Sequence, residues 1–299
     1  MADIARFKAI RPIRDKVHLV ATRPYYSYKK NVLKAKLQDN PFTFLRIINP
    51  EFNSTVKTKV NSDGRFKLVN EQYHEFIEKN ILIQDEQPKL YLYRQSKGNT
   101  SSVGVIGGAS VQEYLNDDIK KHEATITSRE EIFTRYLDIV GYNAEPVLIS
   151  YKGNLDINNF ISSLVDSRPE YEFSTTDLIK HELWILEDDD ADQFEKLFKQ
   201  IPCTYIADGH HRSASSARLF ESGKNNSLNA RYFLSYFVEQ DQLQILEFNR
   251  LVKSLNGISK NEFVQQINKI GALQKLGEIR KPRRQNTIHF YIDDDWFEL

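Results

Sequence analysis

Between Lys180 and Gly223 the hydrophobic pattern changes period three times. "KHELWILED" alternates with period two, as a half-buried strand does. "DADQFEKLFKQI" (190–201) spaces its apolar residues three and four apart, the stripe of an amphipathic helix. "CTYIA" is a short buried strand, and "HRSASSARLFESG" returns to a helix closed by Gly223. A chain that interleaves these periods must build a sheet and cover it with helices. The expected class is therefore α+β, in the wider sense mixed α/β.

The alternation continues along the 299 residues. "HLVATRPYYSY" (18–28) reads as a strand and a Pro-marked turn, "SYKKNVLKAKLQD" as a helix, and "TFLRIIN" (43–49) as a strand. "NEQYHEFIEKNIL" (70–82) reads as a helix with Asn70 as its cap. "KLYLYRQSKGNTSSVGVIGGASV" is a hairpin pattern turning at Gly98-Asn99, and "SVQEYLNDD" starts a helix. Ser128 with Glu131 fits a capping box for a helix ending at Val140. "EPVLISYKG" suits a strand and "LDINNFISSLVDS" a helix. "ARYFLSYFVEQDQLQILEFNRLV" suits two strands around a turn, the second being "LQILEF"; helix "KNEFVQQINKI" and strand "NTIHFYI" follow. Gly104, Gly107 and Gly108, with a change of element type, place a soft boundary near Gly108. It divides an N-terminal α/β region, 1–108, from a second region, 109–299.

Lys plus Arg is 41 and Asp plus Glu is 41, so the net charge is zero. A dedicated nucleic-acid binder needs a basic surface to neutralise phosphates, so nucleic acid is not an expected partner. A single cysteine, Cys203, excludes disulfides within the chain and cysteine-based zinc sites. No stretch approaches the ~20 apolar residues of a membrane span. "MADIARFKAIRPIRDKV" carries charges where a signal peptide needs an apolar region. A cytoplasmic location without a membrane partner is expected.

Chemistry concentrates where "CTYIA" meets the next helix, at Asp208-Gly209-His210-His211-Arg212. With a strand ending at Ala207 and a helix starting after the histidines, unpaired helical N–H groups would face outward at the positive end of the dipole. Such a corner binds anions, phosphate above all. Gly209 lets a ligand approach the backbone, and Arg212 offers a planar fork for phosphate oxygens. His210 and His211 can donate hydrogen bonds or carry charge. Asp208 can hold Mg²⁺, orient a histidine or accept a hydroxyl proton. The bland alternative is a capped helix start with polar histidines.

Other stretches carry two readings each. In "IKKHEATITSREE", Lys121 and His122 would contact anions and Glu123 would serve a metal or act as base, if the loop folds over the phosphate corner. Otherwise it is a solvated charge run. Its His-Glu lacks the second histidine of a zincin. "GVIGGAS" lacks the Lys-Ser/Thr of a P-loop, so its glycines read as tight strand packing. Arg23 and Tyr25 in "TRPYYSY" suit a substrate-facing turn or ordinary packing, and Arg250 a pocket contact or a surface ion pair. Glu187 to Asp190 suit a helix N-terminus better than a divalent ion.

"IADGHHRSASSARLFESG" resembles the DGHHR element of the DUF1015 family, which is similar around this motif to free serine kinases of the ParB/sulfiredoxin superfamily. "FKAIRP", "NPFTFLRIINPE", "LYLYRQ", "GVIGGASVQEYLNDDIKKHEATITSREE", "AEPVLISY" and "ILEFNRLV" follow that family's order, so the resemblance covers nearly the whole chain. It departs at Tyr26, where many members carry Asp, and at Ser213, where an aromatic is usual. Members also tend to run on past the point matching Leu299.

The resemblance implies a ParB/sulfiredoxin-like core around the motif. It also implies nucleotide-phosphate binding at Asp208–Arg212, with the backbone N–H groups of His211–Ser213 holding the phosphates. The activity implied is phosphoryl transfer to or from a small hydroxylated metabolite such as serine or phosphoserine. Mg²⁺, held by Asp208, and ATP or ADP are the cofactors inferred. Asp208, His210, His211 and Glu123 are the catalytic candidates; Gly209, Arg212, Ser213, Lys121 and His122 would bind phosphate; Arg23, Tyr25 and Arg250 would bind substrate. A non-catalytic nucleotide sensor is the alternative, and a hydrolase with a His/Asp-bound metal a weaker third reading.

Overall fold

A computed structural model describes residues 2–52, 56–224, 227–246 and 249–299. They fall into two compact units, Met1–Gln244 and Ile245–Leu299. Gly108, the expected soft boundary, lies inside a strand of the first unit.

The first unit opens with β1 (Ile4–Ala5) and β2 (Ile10–Pro12). A helical segment follows: α1 (Val17–Val20), α2 (Lys30–Asp39), α3 (Leu45–Ile48) and α4 (Asp63–Glu78). Two stretches expected as strands are helical here, since 18–28 holds α1 and a 3-10 turn, and 43–49 holds α3. Short apolar runs carry no period that separates the two forms, and tertiary burial decides. Here Val20 and Ile47 pack with Phe66, Val69, Tyr73 and Phe76 of α4 in a core separate from the sheet's. The α4 cap is Ser62, not Asn70; the Asn70 amide donates to the Val140 carbonyl at 2.9 Å from mid-helix.

The chain then forms β3 (Leu82–Gln84), β4 (Tyr91–Lys97), β5 (Thr100–Ser110), α5 (Val111–Leu115), β6 (Ile119–Lys120) and α6 (Thr127–Val140). The β4–β5 hairpin turns at Gly98-Asn99, as expected. No side chain caps α6, and Ser128 lies inside it rather than at a capping box. Next come β7 (Val147–Tyr151), α7 (Leu155–Leu164), β8 (Tyr171–Ser174), β9 (Lys180–Ile185), α8 (Asp188–Phe198), β10 (Thr204–Asp208), α9 (His210–Glu221) and β11 (Tyr232–Glu239). Leu243–Leu246, expected to begin a further strand, lie in none, and Glu247 and Phe248 lie outside the described residues.

Nine strands make one mixed sheet in the order β6-β10-β7-β11-β5-β4-β9-β8, with β1 beside β5. The mixed α/β class expected from the sequence is the class observed. One sheet face presents Leu92, Val105, Ile149, Ile206 and Phe237, all buried, to the apolar sides of α7 and α8. Phe198 of α8 meets Phe237 edge-on at 5.2 Å and Tyr151 at 5.4 Å. Each such ring contributes about 1.5–3 kcal/mol by leaving water. The glycines of β5 serve closeness: a Cβ on Gly104 would stand 2.2 Å from the Phe237 carbonyl oxygen.

The second unit holds α10 (Lys260–Ile267) and the sheet β12-β14-β13, formed by β12 (Gln274–Leu276), β13 (His289–Ile292) and β14 (Asp295–Glu298). Ser259 and Glu262 close a reciprocal capping box at the start of α10. Among the described residues no helix is long and apolar enough to cross a membrane.

Candidate functional site

β10 and β6 run parallel at one margin of the sheet, and β7 runs antiparallel to β10. The C-terminal ends of β6 and β10 and the start of β7 therefore meet at one end. There the chain reverses through a single residue, Gly209, at φ +102°. That region is strained for any side chain bearing a Cβ. The reversal is tighter than the sequence suggests: β10 runs on through Asp208, and α9 begins with the histidines themselves.

This geometry shifts the free donors by one residue. The backbone N–H groups of His210, His211 and Arg212 precede the first internal acceptor, and no side chain among the described residues caps them. Ser213, expected among the donors, gives its N–H to the Gly209 carbonyl at 3.0 Å. Its hydroxyl is buried and donates to the His210 carbonyl.

The Arg212 guanidinium does not extend as a free fork. It folds back beneath Gly209, donating to the Pro146 carbonyl and to Asp208 Oδ2, with Glu145 Oε1 at 3.6 Å. A Cβ on Gly209 would touch it at 3.1 Å. Arg212 thus ties the end of β10 to the entry of β7. Glu145 and Pro146 were not candidates; they lie over sixty residues from Arg212 in sequence, and only the β7–β10 pairing brings them close.

His210 is 6% exposed. Its Nδ1 lies 3.7 Å from Glu123 Oε2, and its ring meets His122 edge-on at 4.3 Å. Among the described residues its buried Nε2 has no hydrogen-bond partner, and neither has the buried Nδ1 of His211. Burial, reinforced by His122 and opposed by Glu123 and Asp208, pushes the His210 imidazole below its ordinary pKa. It is therefore neutral near pH 7. Phe133 of α6 lies 6.4 Å from the His211 ring.

His122 and Glu123 arrive because β6 pairs beside β10, Ile119 with Thr204 and Lys120 with Tyr205. Of the "KKHE" candidates these two reach the turn. Lys121 points back to α5: its ammonium donates to the Tyr114 carbonyl at 3.0 Å, lies 4.5 Å over the Tyr114 ring, and is 3.7 Å from Asp117. One turn further along α9, a cleft of about 360 Å³ opens between Tyr114, Glu130, Ala214 and Arg218.

Arg23 and Tyr25 are not brought to the turn. Arg23 reaches Asp177, in the connection between β8 and β9, at 3.4 Å. That connection lies five strand positions from β10, roughly 24 Å at the usual strand spacing, and at the opposite end of the strands. Tyr25 is exposed against Tyr26. Arg250 belongs to the second unit and is exposed. Asp188, from the acidic run, pairs with Lys89 at 3.0 Å in the first turn of α8, as a helix start would. Among the described residues no group of three or more His, Cys, Asp or Glu side chains is arranged to hold a metal ion.

A mixed sheet whose two parallel margin strands end beside an uncapped helix start makes this an α/β protein. The chain belongs to a family described as a protein of unknown function, DUF1015, whose model matches residues 4–299. No curated protein and no solved structure matches the chain.

Proposed function

We propose that this protein is a cytoplasmic phosphotransferase of the ParB/sulfiredoxin-like kind. It would move a phosphoryl group between a nucleotide and a small hydroxylated metabolite such as serine or phosphoserine. The observation that carries the reading is the start of α9. Three unpaired N–H groups stand beside a residue without a Cβ, above a buried histidine with an unpartnered nitrogen. Phosphoryl transfer asks mainly for positioning and charge stabilisation, and N–H groups at the positive end of the α9 dipole favour both.

In this reading the N–H groups of His210, His211 and Arg212 hold the phosphate. The Arg212 side chain fixes the turn that presents them. His122, Glu123 and His210 gather where the transferred group would pass, and the cleft along α9 receives the body of a ligand. Asp208 adjoins the turn, but it pairs with Arg212. A magnesium ion would therefore arrive with the nucleotide phosphates, as this cation commonly does.

The test is direct. The protein is incubated with ATP, ADP or CTP, Mg²⁺, and serine or phosphoserine, and phosphorus species are followed by NMR. Phosphoserine appearing or disappearing in step with the nucleotide supports the reading. Absence of both nucleotide binding and turnover overturns it. The sensor reading draws on one observation, the engagement of the Arg212 guanidinium by the Pro146 carbonyl and Asp208, which takes it away from a transferring group. Nucleotide binding without turnover across hydroxylated metabolites would favour it.

A further inference from the structure

We propose that Lys121–Thr125 is a gating strap over His210, and that the unpartnered Nε2 of this ring receives the hydroxyl of the substrate. The second half rests on the phosphotransferase reading; the first does not. The strap joins β6 to α6 and is fastened at its two ends. At one end Lys121 grips the Tyr114 carbonyl and ring. At the other the Thr125 hydroxyl donates to Glu130 Oε1. Between them, the side chains of His122 and Glu123 rest on His210.

The strap is lightly built. Lys121, His122, Glu123 and Ala124 are exposed and Thr125 is half-buried, whereas His210 beneath is buried. Lifting it breaks polar contacts that water can replace and two ring contacts, Lys121 over Tyr114 and His122 against His210. Segments of that kind open first.

What it covers is incomplete. The Glu123 carboxylate beside Nδ1 favours the proton on that nitrogen, leaving Nε2 as an acceptor. Nε2 has no donor in the closed arrangement. Asp208 and His211 also act on the charge of the ring, from its own turn. The anion seat lies on the same helical turn. A ligand carrying a hydroxyl beside a phosphate group meets both needs at once, and the strap can then close over it and exclude water.

Diethyl pyrocarbonate, which acylates accessible imidazoles, tests the gate, with each histidine read by mass spectrometry. His122 and the exposed His74 should react readily and His210 slowly. Thr125→Val and Lys121→Ala, checked for intact folding by circular dichroism, should speed His210 by about tenfold, the ratio expected on losing one charge-assisted hydrogen bond. His74 should be unaffected. His210 reacting as fast as His74 in the unaltered protein, or unmoved by both variants, overturns the gate. With ADP present, serine should protect His210 in the Lys121→Ala protein and alanine should not; equal protection, or none, overturns the hydroxyl contact. Nucleotide binding is measured separately by calorimetry. Its absence counts against the phosphotransferase reading and leaves the gate standing on its own footprint.

Discussion

Replacing Arg212 with Ala separates two accounts of the same residue. As a phosphate fork it would matter to the ligand and little to the fold. The structure instead engages the guanidinium, one-quarter exposed, with the Pro146 carbonyl and with Asp208. A charge-assisted bond to a partly buried carbonyl contributes about 1.5–3 kcal/mol. The pair with Asp208, whose side chain is 71% exposed, adds at most about 1 kcal/mol after solvent screening. The expected loss is therefore about 2 kcal/mol, or roughly 4–8 °C in Tm for a unit of this size. Urea unfolding followed by Trp184 fluorescence reads it, in a Trp296→Phe background because Trp296 lies in the other unit. Asp208→Asn alone should cost under about 1 kcal/mol, and the double variant little more than Arg212→Ala. Orthophosphate and ADP affinities, measured on the same proteins, should weaken modestly as the turn loosens. An Arg212→Ala protein of unaltered stability that binds phosphate about a hundredfold more weakly, a loss of some 2.7 kcal/mol, would put the guanidinium on the ligand and refute the clamp.

Gly209→Ala should cost about 1–2 kcal/mol of backbone strain at φ +102°, read by the same urea midpoints, and should loosen the turn by pressing on the Arg212 guanidinium, which its Cβ would meet at 3.1 Å. Gly104→Ala should be worse, about 3 kcal/mol or more, because its Cβ would meet the Phe237 carbonyl at 2.2 Å in the centre of the sheet; loss of soluble, cooperatively unfolding protein is the readout. Glu182 is 5% exposed between Arg94, at 2.7 and 2.8 Å, and Lys180 at 3.0 Å. Arg94 holds its carboxyl below the ordinary range. The folded pKa lies under the unfolded value of about 4.3, so this stabilisation is complete above that pH and is lost as pH falls through the folded value. Glu182→Gln should therefore lower stability at pH 7 and flatten its acid-side decline, measured by thermal melts from pH 7 to 3.

What was legible in the sequence follows from which forces are local. The β4–β5 hairpin is written in its Gly98-Asn99 turn, and α8 in its apolar stripe, because both depend on neighbours a few residues away. α1 and α3 were misread as strands because four apolar-rich residues fit either form until Phe66 and Tyr73 of α4 bury them. The motif at Asp208–Arg212 was legible as chemistry, a strand-to-helix corner rich in donors. Its orientation was not. A single residue at φ +102° decided whether the histidines precede the helix or begin it, and that moved the free N–H groups from 211–213 to 210–212.

The meeting of Glu123 with His210 shows why long-range parts of a site escape a linear reading. They are 87 positions apart in the chain, and two backbone pairs, Ile119 with Thr204 and Lys120 with Tyr205, join β6 to β10. A slip of one residue in so short a ladder would turn every side chain of β6 to the other face. Ile119, buried with the sheet's core, would then point to solvent while exposed Lys120 pointed inward. The burial of Ile119 is therefore what fixes the register, and through the register it carries His122 and Glu123 onto the imidazole. An apolar side chain with no chemistry of its own determines whether the catalytic candidates meet.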